Sequence, residues 1–94
     1  MDIILYTKNG CGRCKALKNF LDKNRLEYSE QDIDNQDVAQ VLVQDNYILE
    51  TYCDEESCIV TTPIVKIDGQ WVADDFFVDE GINEKLVKKV FQIQ

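Results

Sequence analysis

Ile3, Ile4, Leu5 and Tyr6 form a β-branched and aromatic run closed by Asn9-Gly10, the pattern of a buried strand that ends in a turn. From Gly12 the period changes. Ala16, Leu17, Phe20 and Leu21 fall on one face and Lys15, Lys18, Asp22 and Lys23 on the other, which predicts an amphipathic helix ending near Asn24. Leu26, Tyr28 and the stretch to Ile33 predict a second strand, with Asp34 or Asn35 as N-cap of a second helix through Val38, Val41 and Leu42. The segment from about Asn46 to Val60 has no clear period and reads as an irregular insertion, helical at most in its first part. Ile64-Val65-Lys66-Ile67, Asp68-Gly69 and Gln70-Trp71-Val72-Ala73 then predict a two-residue hairpin of the Asp-Gly type. Ile82, Leu86, Val87, Val90 and Phe91 recur at helical spacing, with Lys88 and Lys89 late in the helix where they complement its dipole. Phe76 and Phe77, between the last strand and this helix, read as core packing ahead of the alternative, a cover over a substrate groove, and Tyr6 as a strand residue whose ring packs beneath the candidate site after the first strand.

The resulting order, β-α-β-α-β-β-α, is an α/β arrangement: two parallel strands joined by a helix, plus an antiparallel hairpin, in a mixed four-stranded sheet with helices on both faces. Neither a repeat nor a linker interrupts the chain, so a single domain over residues 1–94 is expected, with the insertion at about 46–60. Its 94 residues, 45% of them hydrophobic, with one Pro and four Gly, suit one globular core and exclude a disordered or low-complexity class. The apolar runs are far shorter than the 18 or so residues of a membrane span, so no membrane partner is expected. The start Met1-Asp2-Ile3-Ile4 lacks a basic n-region, and a cytoplasmic location is the expectation.

Charge and cysteine usage narrow the chemistry. Residues 1–25 carry six bases and two acids, a local balance of +4; residues 26–65 carry ten acids and no Lys or Arg; the whole chain is at −8. That acidic total argues against nucleic acid, whose phosphates need a larger basic face. The basic N-terminal quarter either draws in a small anion or acidic surface or is a solvated helix face. There is no histidine, which removes imidazole as base and ligand and leaves thiolate, carboxylate, amine and hydroxyl groups. Four cysteines in a chain read as cytosolic point to redox chemistry or metal binding before structural disulfides.

Cys11-Gly12-Arg13-Cys14 falls where the first strand hands over to the first helix. Two cysteines at this spacing can close a small disulfide ring, and the first sulfur then lies over the unpaired N–H groups of the helix start. The partial positive charge there, with Lys8, Arg13 and Lys15, favours thiolate over thiol. Cys11 is therefore the expected nucleophile, and Cys14, one turn further in, the resolving thiol. The competing reading is a zinc or iron-sulfur carrier using the same thiols as ligands. Zinc would need Cys53 and Cys58 to complete the site, at a spacing loose for structural zinc, so no metal site is assigned.

Tyr6-Thr7-Lys8-Asn9-Gly10-Cys11-Gly12-Arg13-Cys14 after a strand, with Thr61-Thr62-Pro63 before a hairpin, resembles the glutaredoxin branch of the thioredoxin superfamily, including the glutaredoxin-like hydrogen donors of ribonucleotide reductase. The resemblance implies the thioredoxin-like fold of glutaredoxin type and thiol-disulfide exchange. It also implies a cis bond before Pro63 facing the disulfide, and a Thr62 backbone that pairs with the bound thiol substrate. Lys8 stands where the family holds a carboxylate of glutathione, Arg13 where many members have an aromatic residue, and Asp74 and Asp75 where the other end of glutathione binds. The chain departs from the family in having Ala73-Asp74-Asp75-Phe76 where a Gly-Gly pair is usual, and in carrying extra residues before Thr61. The implied partners are a disulfide-bearing protein, with ribonucleotide reductase as an example, and a reductant. That reductant is either glutathione, as co-substrate, or a thioredoxin-reductase-type flavoprotein, toward which Trp71 in the fourth strand points. No tightly bound cofactor is expected, and a monomer is.

Cys53 and Cys58 keep three readings open: a structural or regulatory disulfide, two reduced thiols packed as small hydrophobes, or an auxiliary dithiol exchanging with the Cys11 pair. Asp54, Glu55 and Glu56 between them should raise thiol pKa by like-charge repulsion and make them poorer nucleophiles than Cys11. The acidic segment is expected to tune partner choice. The function read from the sequence is thus a small electron carrier that reduces protein or mixed disulfides by a dithiol mechanism.

Overall fold

The pattern of alternate burial begins in the first strand. In the computed structural model, which describes residues 1–53, 62–78 and 81–93, strand β1 (Ile3–Thr7) sends Ile3 and Leu5 to one core and Tyr6 to another. Period-2 alternation on a strand covered from both sides produces this split. On the first side lie Leu17, Phe20 and Leu21 of helix α1 (Gly12–Lys23) and Val87 of the C-terminal helix (Glu84–Val90). On the second lie Leu42 of α2 (Gln36–Leu42) and Ile48 of α3 (Asn46–Tyr52).

Strand β1 runs parallel to β2 (Ser29–Asp32), from Ile4 opposite Ser29 to Thr7 opposite Asp32, and antiparallel to β3 (Ile64–Ile67). Strand β4 (Gln70–Val72) adds to β3 with Val65 opposite Val72, giving the order β2-β1-β3-β4. This is the α/β thioredoxin-like fold, which among the described residues comprises a four-stranded mixed sheet and four helices. The Asp68-Gly69 turn has φ of 50° and 82°, as a type I′ hairpin demands, and Asp68 Oδ1 accepts the Asp2 backbone N–H at 2.7 Å. Helix α1 closes with a Schellman pair, Leu26 N–H to Leu21 carbonyl and Arg25 N–H to Asp22 carbonyl, with Arg25 at φ 60° in the place glycine usually takes.

Three elements differ from the sequence expectation, and a fourth, the start of the insertion, takes the helical form that the sequence allowed there. The second strand is only Ser29–Asp32: it is an exposed edge whose pairing starts opposite Ile4, and Leu26 and Tyr28 instead pack on the core before it. The first part of the expected irregular insertion is the helix Asn46–Tyr52, capped by Asp45, which accepts from Tyr47 N–H at 2.9 Å, and anchored by the fully buried Ile48. A small ribbon, β5 (Phe77–Val78) against β6 (Gly81–Ile82), precedes the last helix, so Ile82 belongs to a strand, opposite Phe77. The helix, α4 (Glu84–Val90), starts at the Asn83 cap. The fourth strand, finally, stops at Val72, before Ala73. Phe76 packs in the core, 5.5 Å from the Phe91 ring, as expected. The part of the insertion containing Cys58, with Asp54, Glu55, Glu56 and Thr61, lies outside the described residues.

Candidate active site

Asn9 and Gly10 turn the chain from β1 into α1, with Gly10 at φ 75°. That left-handed conformation is cheap for glycine and lets Cys11 arrive as the N-cap of α1. Cys11 takes the place of the usual Ser or Asp cap: its Sγ accepts the Cys14 backbone N–H at 3.1 Å. The two cysteines form a disulfide with Cα atoms 5.2 Å apart. Their exposure differs. Cys11 is half-buried, whereas Cys14 is 2% exposed, the accessibility order expected of an attacking and a resolving thiol.

The Thr62–Pro63 peptide bond is cis, and it meets the same sulfur. Thr62 Oγ1 donates to Cys11 Sγ at 3.2 Å, and the Thr62 carbonyl oxygen lies 3.7 Å from it. Cys11 thus sits between two clefts. One is lined by Lys8, Lys15 and Lys18 together with Thr7, Glu30 and both cysteines. The other is lined by Thr62 and Pro63 with Arg13, Asp74, Asp75 and Tyr52.

The site residues named from the sequence divide between these clefts. Lys8 is on one side of Cys11, and Arg13, Asp74 and Asp75 are on the other with the prolyl turn. The Arg13 guanidinium lies 5.4 Å over the Phe77 ring, so it flanks the second cleft instead of adding to the lysines. Trp71 lines neither cleft. Its ring stacks on Tyr47 at 5.8 Å and meets the tilted Tyr6 ring at 5.4 Å, and its Nε1 donates to Asp45 at 3.1 Å, which places it in the second core. Cys53 closes α3 and is disulfide-bonded; Cys58 lies outside the described residues.

Two features escape sequence reading. Tyr52, from the last turn of α3, enters the second cleft, and burial pushes its phenol pKa up, with Tyr47 adding to the effect, so it stays a neutral hydroxyl. In the first cleft, Glu30 Oε2 accepts from Thr7 Oγ1 at 2.6 Å and from Lys18 Nζ at 2.9 Å. The Thr7 hydroxyl first, and then Lys18, hold the Glu30 carboxyl below its ordinary range. Both links join the edge strand β2 to the core of the site; a residue's own type carries no sign of them, because they depend on register across β1 and β2.

A group whose pKa falls on folding stabilises the fold above its unfolded pKa, and that contribution is lost as pH drops through the folded value. Glu30→Gln should therefore cost a little at neutral pH, below about 1 kcal/mol because the ion pair is exposed. The difference from wild type should vanish as pH falls below the ordinary carboxylate range. Urea unfolding of both proteins from pH 7 downward checks this, and a gap that widens in acid would contradict it.

A family model described as Glutaredoxin matches residues 3–72. The chain belongs to the glutaredoxin family. Membership of this family, together with the cysteine pair at the start of α1, is consistent with thiol-disulfide redox activity. Among solved structures, the fold is similar to the thioredoxin-like protein BC3987 at 30% identity, covering 93% of this chain and 97% of that one, with a TM-score of 0.59. A point mutant of that same protein aligns over 99% of this chain and 97% of its own at 26% identity, with a TM-score of 0.66. Glutaredoxin 1 from Francisella tularensis, complexed with cacodylate, shares the fold at 21% identity and a TM-score of 0.57, over 98% of this chain and 94% of that one. No curated protein matches the chain at a significant level. Among the described residues, no helix is long and apolar enough to cross a membrane.

Proposed function

We propose that this glutaredoxin-family chain is a dithiol carrier that reduces disulfides in proteins and mixed disulfides, acting as a single-domain monomer in the cytosol. The observation that carries the reading is the Cys11 sulfur itself: half-buried, capping α1, and accepting two hydrogen bonds from different segments while its partner Cys14 is sealed behind it. Donors aimed at a sulfur favour its anion, and only the thiolate attacks disulfides. Cys11 as thiolate attacks one sulfur of the substrate disulfide, forming a mixed disulfide and releasing the first substrate thiolate, which takes a proton from solvent. Cys14, deprotonated, attacks the Cys11 sulfur, closes the internal disulfide and releases the second substrate thiolate. Two electrons have then passed to the substrate, and an external dithiol or two monothiols return them.

The substrate segment bearing the attacked sulfur would lie along Thr62 and Pro63, with Arg13, Asp74 and Asp75 at one end and Lys8 beyond Cys11 at the other. This spread of charge fits a zwitterionic peptide such as glutathione: the aspartates suit its ammonium, and Lys8 suits a carboxylate. Cys53 and its pair would be structural or regulatory, since acidic neighbours disfavour their thiolates. The test is turnover of a protein disulfide and of a glutathionylated peptide, with glutathione and its reductase in one arm and a thioredoxin-reductase flavoprotein in the other. At least one arm should sustain multiple turnovers; single-turnover behaviour in both would contradict the reading.

A further inference from the structure

We infer that the Thr62 hydroxyl is a positioning group that holds Cys11 as a thiolate, a role separate from any backbone pairing Thr62 makes with substrate. The inference rests on the proposed nucleophilic role of Cys11. Thr62 is 5% exposed, and its Oγ1–H points at Cys11 Sγ from 3.2 Å. Hydrogen bonds to ionised acceptors are the strong ones, and this one is part-buried, with its donor almost wholly covered. Its carbonyl has the opposite tendency. The oxygen 3.7 Å from Sγ can accept from a neutral S–H but only repels a thiolate. The same residue therefore presents to one sulfur a donor that favours the anion and an acceptor that favours the thiol, and removing the donor leaves the acceptor alone.

The other groups around Cys11 stay in place when that hydroxyl is removed. The Cys14 backbone N–H, donating at 3.1 Å, belongs to α1. Lys8, Lys15 and Lys18, with Glu30 and Asp32, line the first cleft together with Cys11, Lys18 paired to Glu30 at 2.9 Å. Arg13, Tyr52, Asp74 and Asp75 lie in the second, beside Thr62. A change confined to the hydroxyl can thus be read against an unchanged field. Valine, which keeps the branched shape and loses the donor, supplies that change; serine keeps the donor and loses a methyl group.

The experiment measures the rate of Cys11 alkylation against pH in the reduced full chain, assigned to Cys11 by peptide mass, for wild type, Thr62→Val, Thr62→Ser and Thr62→Ala. Thr62→Val and Thr62→Ala should raise the Cys11 pKa by about one unit, slowing alkylation roughly tenfold below the wild-type midpoint while leaving the high-pH limiting rate unchanged. Thr62→Ser should titrate with the wild type. A role in packing alone would move Ser and Ala together and would change stability without displacing the midpoint. A low wild-type pKa kept in Thr62→Val overturns the inference and leaves the proposed nucleophile standing. A wild-type Cys11 that titrates like free cysteine, near about 8.5, overturns both.

Discussion

Cys11→Ser should abolish turnover on every disulfide, protein or glutathionylated, by at least about 10³-fold, the scale on which removing a nucleophile acts. The loss should be chemical, not structural. Serine is among the best N-cap residues, and its Oγ can accept the Cys14 N–H that Cys11 Sγ accepts at 3.1 Å, so α1 keeps its cap. Thr62 Oγ1 likewise keeps an acceptor in place of the sulfur it now meets. What disappears is a group that ionises near neutral pH and exchanges with sulfur. Steady-state assays with either reductant, alongside thermal unfolding, separate the two possibilities. A melting midpoint near that of wild type with no turnover fits the account, and retained turnover on any substrate contradicts it.

The second large effect divides substrates. Cys14→Ser should lower turnover of protein disulfides by about 10²-fold or more while sparing glutathionylated substrates, because it removes an intramolecular step. Cys14 is 2% exposed and shares a disulfide with Cys11 across Cα atoms 5.2 Å apart, so its attack on a mixed disulfide is preoriented. An external thiol must replace that step in the variant, and preorientation of this kind is worth many orders of magnitude in effective concentration. A glutathionylated substrate needs no second internal thiol, because free glutathione can take the glutathionyl group from Cys11 directly. Parallel assays on one protein disulfide and one glutathionylated peptide check the division. Equal losses on both would place Cys14 in the fold instead of the chemistry.

Much of this site was legible in the chain because its parts are local. The period change at Gly12 put the cysteine pair at a helix start, and Asp68-Gly69 marked the hairpin that follows the prolyl turn. The resemblance of the residues around Cys11 and Pro63 then indicated that these two distant segments meet, as the Thr62 contacts to Cys11 show. What was hidden depends on long-range register or on very short elements. The β5–β6 ribbon is two residues on each strand, too short to establish a period. Helix α3 has seven residues held by one cap and one buried Ile48, so the sequence allowed a helical start to the insertion but not its bounds or the side it buries. The Thr7, Glu30 and Lys18 cluster needs three elements brought together. Arg13 and Lys8, close in sequence, part to opposite sides of Cys11 because one is on the helix and the other precedes the turn.

The most direct test of the account traps the covalent intermediate. The Cys14→Ser protein, reduced and mixed with a protein disulfide, should stall as a mixed disulfide, and mass mapping should find the substrate joined to Cys11 alone. A stalled adduct on Cys53 or Cys58, or no adduct at all while Cys11 remains a free thiol, would contradict it.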